Sequence, residues 1–393
     1  MAAMLDWVNL VVRWVHLTAG IAWIGSSFYF IWLDRQLQKP DPARPGVEGE
    51  VWMVHSGGFY RVEKLRVGPN EVPATLHWFK WEAALTWATG LLLLAVVYYL
   101  TGGALLVDPA VSGLGVGQAT LLALGTLLAG WFVYDALWRS PFSKPDGLGA
   151  ILSLVLLGAV TLLFFRTLSG RAAYIHVGSL LGTLMVANVW RVILPAQQQM
   201  IDATRRGERP DFSLGEHAKR RSVHNSYMTL PVLFLMLSSH FPQTYGNRLG
   251  WLILILLGIA GATARHAMIG RGPRRLWALA PMAASFLAVV AIATPRRSAA
   301  STASGEQVSF AEVRSVINAR CLPCHSAYPT DDTFRVAPNG VMFDTPQEIE
   351  NRVSRIGERA AVQRTMPPGN KTEMTDEERD VLGRWIAAGA IVR

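Results

Sequence analysis

The residues best suited to chemistry lie near the end of the chain, in Cys321-Leu322-Pro323-Cys324-His325. In a Cys-x-x-Cys-His motif two thiols can add to the vinyl groups of a haem while the adjacent imidazole ligates its iron. A zinc site would need a second ligand pair, and residues 305–393 hold no other Cys or His. A thioredoxin-type dithiol would sit in a βαβ pattern, which this stretch lacks. The motif therefore reads as the attachment site of one covalent haem c, with His325 as an iron ligand. Its expected partner is Met366, because Thr365-Met366-Pro367-Pro368-Gly369 must be extended and can hold a thioether in place. Met342 sits in a loop with no such clamp, and Met374 directly precedes a helix start. Cys321 and Cys324 are the only cysteines, so a disulfide framework is excluded.

A second group of reactive side chains interrupts long apolar stretches, where ionisable residues are costly and so carry a functional hypothesis. His16, His176 and His240 fall toward one end of these stretches. His77, Lys80, Glu82, Asp135, Arg191, His224 and His266 fall toward the other. Histidines on facing helices either ligate a haem b or hydrogen-bond across the bundle. His16 and His176, flanked by small residues, are the candidate haem b ligands, and His240 reads as interfacial. In His77-Trp78-Phe79-Lys80-Trp81-Glu82 a helix would put His77 and Lys80 on one face and Trp78 and Glu82 on another. With Arg191 and Asn188, these residues suit a small planar anion. The plainer alternative is that Lys80 and Arg191 reach to the membrane interface.

The elements that must position these residues are membrane helices. Of 393 residues 51% are hydrophobic and 17% charged, too apolar for an ordinary soluble chain. Apolar runs predict eight spans, at about 8–33, 74–100, 117–138, 149–168, 174–195, 223–240, 249–268 and 276–295. The sixth is the weakest, holding Asn225, Ser226 and Pro231. Gly90, Gly125, Gly158 and Gly182 suit close helix packing. Lys and Arg crowd the loops after odd-numbered spans and are nearly absent after even ones, which places odd exits in the cytoplasm and both termini outside. The net charge of +9 is thus a topology signal, not a nucleic-acid surface. Fourteen Trp fit interfacial aromatic belts.

Past residue 295 the character changes. Residues 296–304 read as a small polar linker, and 305–393 as a charged module. Ser309 with Glu312, and Thr375 with Glu378, form capping boxes ahead of two helices. Terminal helices flanking a haem motif describe a class I cytochrome c. The expected fold is therefore all-α: a membrane bundle over 1–295 and a cytochrome c domain over 305–393.

The strings VWMVHSGGFYRVEKLRVGPN (51–70), LHWFKWEA (76–83) and IHVGSLLGTLMVANVWRVILPAQQQM (175–200) resemble the bacterial membrane-bound urate oxidases, the PuuD-type urate hydroxylases. The resemblance covers essentially the whole chain. It implies an eight-helix domain fused to cytochrome c in the bacterial inner membrane. It also implies oxidation of urate to 5-hydroxyisourate, with electrons leaving through haem c to a soluble cytochrome c or a terminal oxidase and no peroxide formed. WVHLTAGIAWIGSSFYF (14–30) is also similar to the first helix of membrane protoporphyrinogen oxidases, in which a histidine at the place of His16 binds haem b. On this reading Arg191 and Lys80 hold urate, Glu82 or His77 accepts a proton, and Gly57 to Tyr60 contribute a lid. The alternative is a quinol-to-cytochrome relay with no small polar substrate.

Overall fold

A computed structural model describes residues 2–143, 146–270, 272–294 and 308–392. The expected linker, 296–304, lies outside the described residues. Helix α1 (Ala2–Gln36) is followed by an antiparallel hairpin, β1 (Val47–His55) and β2 (Gly58–Leu65). Then come α2 (Trp81–Leu94), α3 (Val116–Arg139), α4 (Asp146–Thr167) and α5 (Gly170–Ala187). Helix α2 runs on as a π turn over Ala95–Tyr99, and α5 continues through a π turn, Asn188–Ile193, into α6 (Leu194–Arg205). Helix α7 (Phe212–Leu237), the short α8 (Pro242–Tyr245), α9 (Gly250–Ile269) and α10 (Leu279–Ala293) complete the bundle.

Seven helices among the described residues are long and apolar enough to cross a membrane: α1, α2, α3, α4, the α5–α6 rod, α9 and α10. Their exposed faces are apolar. On α3, Leu121, Leu124, Leu128 and Phe132 point outward while Ala119, Ala123, Leu127 and Tyr134 are buried, a surface that suits lipid rather than water.

Three expectations need correction. The anticipated sixth span does not qualify: α7 is 26 residues long but carries Glu216, Lys219, Arg220 and Arg221 in its first half. It packs against α5 and α9 and buries Arg221, Asn225, Ser226 and Thr229 between helices, so its polarity is met by protein. The fold is not purely helical either. The long first loop holds the β1–β2 hairpin, whose two-residue turn needs positive φ at Ser56 (49°) and Gly57 (78°). Finally, of the glycines expected at helix contacts only Gly90 is close to a neighbour, with His16 3.1 Å from where its Cβ would stand. Gly125, Gly158 and Gly182 have no atom within 4 Å of that point. Gly178 against Leu235, and Gly261 against Pro231, make the close approaches instead, each at 3.0 Å.

The bundle is tied by one buried polar network. Arg221 on α7, with no exposed side-chain surface, donates to Asp135 of α3 at 2.7 Å. Asn188, in the π turn after α5, donates to Tyr134 at 3.1 Å and to Asn225 at 2.9 Å. Tyr134 meets His224 Nδ1 at 2.7 Å, and Asn225 donates to the Met185 carbonyl at 2.9 Å. Three helices share these bonds, so none can slide without orphaning a charge.

Residues 308–392 form a second unit. Helices α11 (Phe310–Arg320), α12 (Pro346–Glu350), α13 (Val353–Ile356) and α14 (Asp376–Ala387) surround a core of Val313, Ile317, Ile349, Leu382 and Trp385. Both expected capping boxes form, and α11 packs on α14 with Phe310 and Trp385 rings 6.1 Å apart. This unit rests on the loops at the end of the bundle opposite the hairpin. Thr333 Oγ1 is 3.5 Å from the Thr101 carbonyl. Gly369, at φ +56, lies so close to the carbonyls of Ala104 and Val107 that no side chain fits.

Breaking the Arg221–Asp135 pair should be severe, because losing Asp135 strands the fully buried Arg221 guanidinium at a cost of about 3–5 kcal/mol, and losing Arg221 leaves Asp135 only the exposed Arg139 at 2.7 Å. Arg221→Met alone, or Asp135→Leu alone, should sharply lower the thermal midpoint of the detergent-purified protein. The double variant should recover most of the loss, and equal damage in all three would disprove the pairing.

Candidate functional site

The Cys-x-x-Cys-His turn follows directly from α11. The Cys321 N–H bonds back to Ile317 at 2.9 Å, and those of Cys324 and His325 return to the Cys321 carbonyl at 3.2 and 2.8 Å. His325 Nδ1 donates to the Val341 carbonyl at 2.9 Å. A carbonyl partner fixes the proton on Nδ1 and leaves Nε2 as a lone-pair donor. Burial pushes the thiols of Cys321 and Cys324 up to about 12 and about 11, and lowers the His325 imidazole. Two protonated thiols and a neutral imidazole therefore sit side by side.

Met366 packs against the same core as Cys321 and Leu322. Its loop is pinned by Arg379, a residue the sequence reading passed over. The guanidinium donates to the carbonyls of Ala360 (2.6 Å) and Met366 (2.8 Å) and to Asn370 Oδ1 (3.0 Å). Met374 is 3% exposed and serves the core. The donor set of two thiols, imidazole Nε2 and thioether fits a covalent haem.

In the bundle the structure separates residues that sequence spacing suggested together. His16 meets α2 at Thr86 (2.9 Å), Thr89 (3.1 Å) and Gly90. His176 on α5 meets it at Tyr98 and Tyr99 instead. Gly90 and Tyr98 are eight residues apart, about 12 Å of helix, so the two imidazoles meet α2 and its π turn at different levels. His176 is also fully buried with both nitrogens engaged. Nδ1 bonds to the Ala172 carbonyl and Nε2 to the Tyr99 hydroxyl, each at 2.8 Å. His16 keeps Nε2 without a partner. His240 is exposed, as an interfacial residue should be.

At the hairpin end, His77 and Lys80 precede α2 rather than sharing a helical face, because the helix starts only at Trp81. The run 74–80 is non-helical or turn, so Trp78 and Glu82 share no face either. His77 is exposed and packs edge-on to Phe79 at 4.6 Å. Arg191 is exposed on the π turn. Lys80, Trp81 and Trp190 nevertheless converge. The Lys80 ammonium lies 5.6 Å from the Trp81 ring and 5.7 Å from the Trp190 ring, and the two indoles are 5.5 Å apart. Glu82 Oε2 and Trp190 Nε1 are both buried without a hydrogen-bond partner. A lone acceptor and a lone donor beside a cation are the features a small polar ligand would satisfy. Glu82 also borders an apolar groove of about 700 Å³ between α1 and α2, lined by Trp14, Thr18, Ala22, Trp81 and Leu85.

The protein is thus a mostly helical bundle with seven helices able to cross a membrane among the described residues, a polar cluster toward one end and a Cys-x-x-Cys-His unit at the opposite end. Residues 2–295 match the urate oxidase N-terminal family, and the chain belongs to that family. No curated protein and no solved structure matches it.

Beside the Cys-x-x-Cys-His turn, Lys371 bridges Asp331 at 2.7 Å and the exposed Asp332. Burial acts to raise the Asp331 carboxyl, but Lys371 and the N–H groups of Phe334 and Thr333 outweigh it, so its pKa is lowered. Stability from this carboxylate is therefore complete above the unfolded value of about 4 and is lost as pH falls through the lower folded value. Lys371, penalised by burial but held by both carboxylates, is raised, so its share is lost only as pH climbs past about 10. Urea midpoints of the full chain should fall between pH 5 and pH 3. Asp331→Asn should be weaker at pH 7 and should flatten that acid limb. An unchanged limb would assign the acid loss to other carboxylates.

Proposed function

We propose that the bundle oxidises urate to 5-hydroxyisourate and that residues 308–392 carry one covalent haem c, making this a cytochrome c-linked urate oxidase. The observation that carries the reading is the pairing of a urate oxidase family match over 2–295 with a Cys-x-x-Cys-His unit. That unit's Met366 loop touches the bundle. Urate plus water gives 5-hydroxyisourate, two protons and two electrons, and the electrons need an acceptor other than oxygen if no peroxide is formed. A haem c at Cys321 and Cys324, ligated by His325 and Met366, would take them one at a time for a soluble cytochrome c or a terminal oxidase.

The basic loops at the hairpin end support a reading in which that end faces the cytoplasm of a bacterial inner membrane and the cytochrome unit the periplasm. Lys80 and the exposed Arg191 draw the urate anion to the mouth at the hairpin end. Glu82 accepts a proton or an N–H there, and Trp190 Nε1 donates to a purine oxygen. His77, at the rim, relays protons to water. His16, with a free Nε2, is the histidine placed to serve a haem b if one is bound.

The apolar α1–α2 groove favours a second reading, in which Glu82 deprotonates a quinol and no urate is involved. A visible spectrum of the oxidised protein mixed with urate in the absence of oxygen separates the two. Under the urate reading the c-type band becomes reduced, and Cys321→Ala/Cys324→Ala abolishes both the covalent haem and urate consumption. Reduction by a quinol but not by urate, in a protein that dithionite still reduces, would replace it with the relay.

A further inference from the structure

Arg265 plays no part in the reading above, yet it carries the least compensated charge in the bundle. It lies on α9, within a stretch apolar enough to span a membrane, and is 2% exposed. Its Nε donates to Ser226 Oγ on α7 at 2.9 Å, and its guanidinium lies 3.7 Å from the centre of the Phe28 ring on α1. Nη2 is buried and has no acceptor. Among the described residues no carboxylate pairs with it. The nearest charge of note is another cation, Arg35, which is spent on the carbonyls of Met268 and Gly270.

A buried guanidinium in a water-poor medium is strongly unfavourable without a counter-charge. Arginines near helix ends commonly avoid the cost by reaching to the interface, but this one turns inward to Ser226. The bundle's other fully buried arginine, Arg221, shows the usual solution, a carboxylate at 2.7 Å. Arg265 has the burial without the carboxylate, so its missing partner is an anion from outside the chain. The surroundings describe that anion. The N–H edge of a guanidinium matches oxygens in a plane, and the Phe28 ring offers an apolar face. The next residues on the same two helices, Tyr227 and His266, form a 2.6 Å hydrogen bond that adds a polar edge. One turn back along α1 from Phe28, Gly25 opens on free space, with no atom within 4 Å of its absent Cβ.

We propose that Arg265 Nη2, between α1, α7 and α9, is the seat of a small planar monovalent anion. Resting on the function proposed above, that anion is the urate monoanion, drawn in by Lys80 and Arg191 and held by Arg265. The test uses the full chain purified in detergent and reduced with dithionite, so that bound urate cannot turn over. Equilibrium binding of radiolabelled urate should weaken roughly 10- to 100-fold in Arg265→Gln, the range for losing a hydrogen bond to a charged group. Arg265→Lys, which keeps the charge but not the fork, should fall between. Wild-type binding that both variants retain, with normal gel filtration and haem spectra, would overturn the seat and leave the urate reading standing. Absence of urate binding by the wild type would remove urate as the ligand, and thermal melting in sodium nitrate then decides the seat. A nitrate-dependent rise in the wild type that vanishes in Arg265→Gln upholds an anion site, and the same response in both overturns it.

Discussion

Lipid offers no hydrogen bonds, so every polar group taken into this bundle must find its partner within the protein. The Arg221–Asp135 pair and the Asn188–Asn225–Tyr134–His224 bonds around it are how the chain meets that demand. They also explain why α7 can be so polar and still run through the bundle. Its buried charge, Arg221, faces α3 and the π turn after α5, not lipid. The π turn is part of the same solution. An extra residue in the helical turn re-aims side chains, and here Asn188 turns to the network while Trp190 turns to Lys80.

Where satisfaction is the rule, the exceptions carry information. Buried atoms without partners include Glu82 Oε2, Trp190 Nε1 and Arg265 Nη2, and each is contributed by a helix near the hairpin end. They are an acceptor and two donors, on α2, the π turn after α5 and α9. His176 illustrates the opposite case. It is a histidine at membrane depth with nothing left to offer, since Ala172 and Tyr99 use both nitrogens. A costly residue in the membrane is a functional candidate only until its bonds are counted.

Much of this was legible in the sequence, and the parts that were not share a cause. The helices α1 to α5, α9 and α10 follow from apolar length, and the boxes Ser309–Glu312 and Thr375–Glu378 follow from local chemistry within four residues. What could not be read were relations between segments distant in sequence. His16 and His176 looked alike because both punctuate apolar runs, and only their different contacts along α2 separate them. His77 and Lys80 looked helical because the apolar run continues through them, whereas α2 begins at Trp81. The hairpin was hidden inside a loop whose alternation in Val51 to Val54 and Phe59 to Val62 is strand-like once paired. Arg265 carried no signal at all, since an arginine one turn from a helix end is ordinary until its side chain is seen to turn inward.

Helix α2 connects the two halves of the argument. Its first turn carries Glu82, two residues after Lys80 in sequence, and its last, π-helical turn presents Tyr98 and Tyr99 to His176, two residues before Thr101 meets Thr333 of the second unit. The polar cluster at Lys80 and the Thr101–Thr333 contact therefore lie at opposite ends of one helical rod, in a bundle long enough to cross about 30 Å of hydrocarbon. Gly369 against Ala104 and Val107 sets the contact at the second unit's end, because a side chain there would lift the Met366 loop from the bundle. The same residues that hold the Met366 loop in shape, Arg379 with Asn370 and the Met366 carbonyl, therefore also determine how closely it can approach the bundle. Fusion of the two units in one chain makes that approach independent of concentration, a physical advantage that two separate chains would lack.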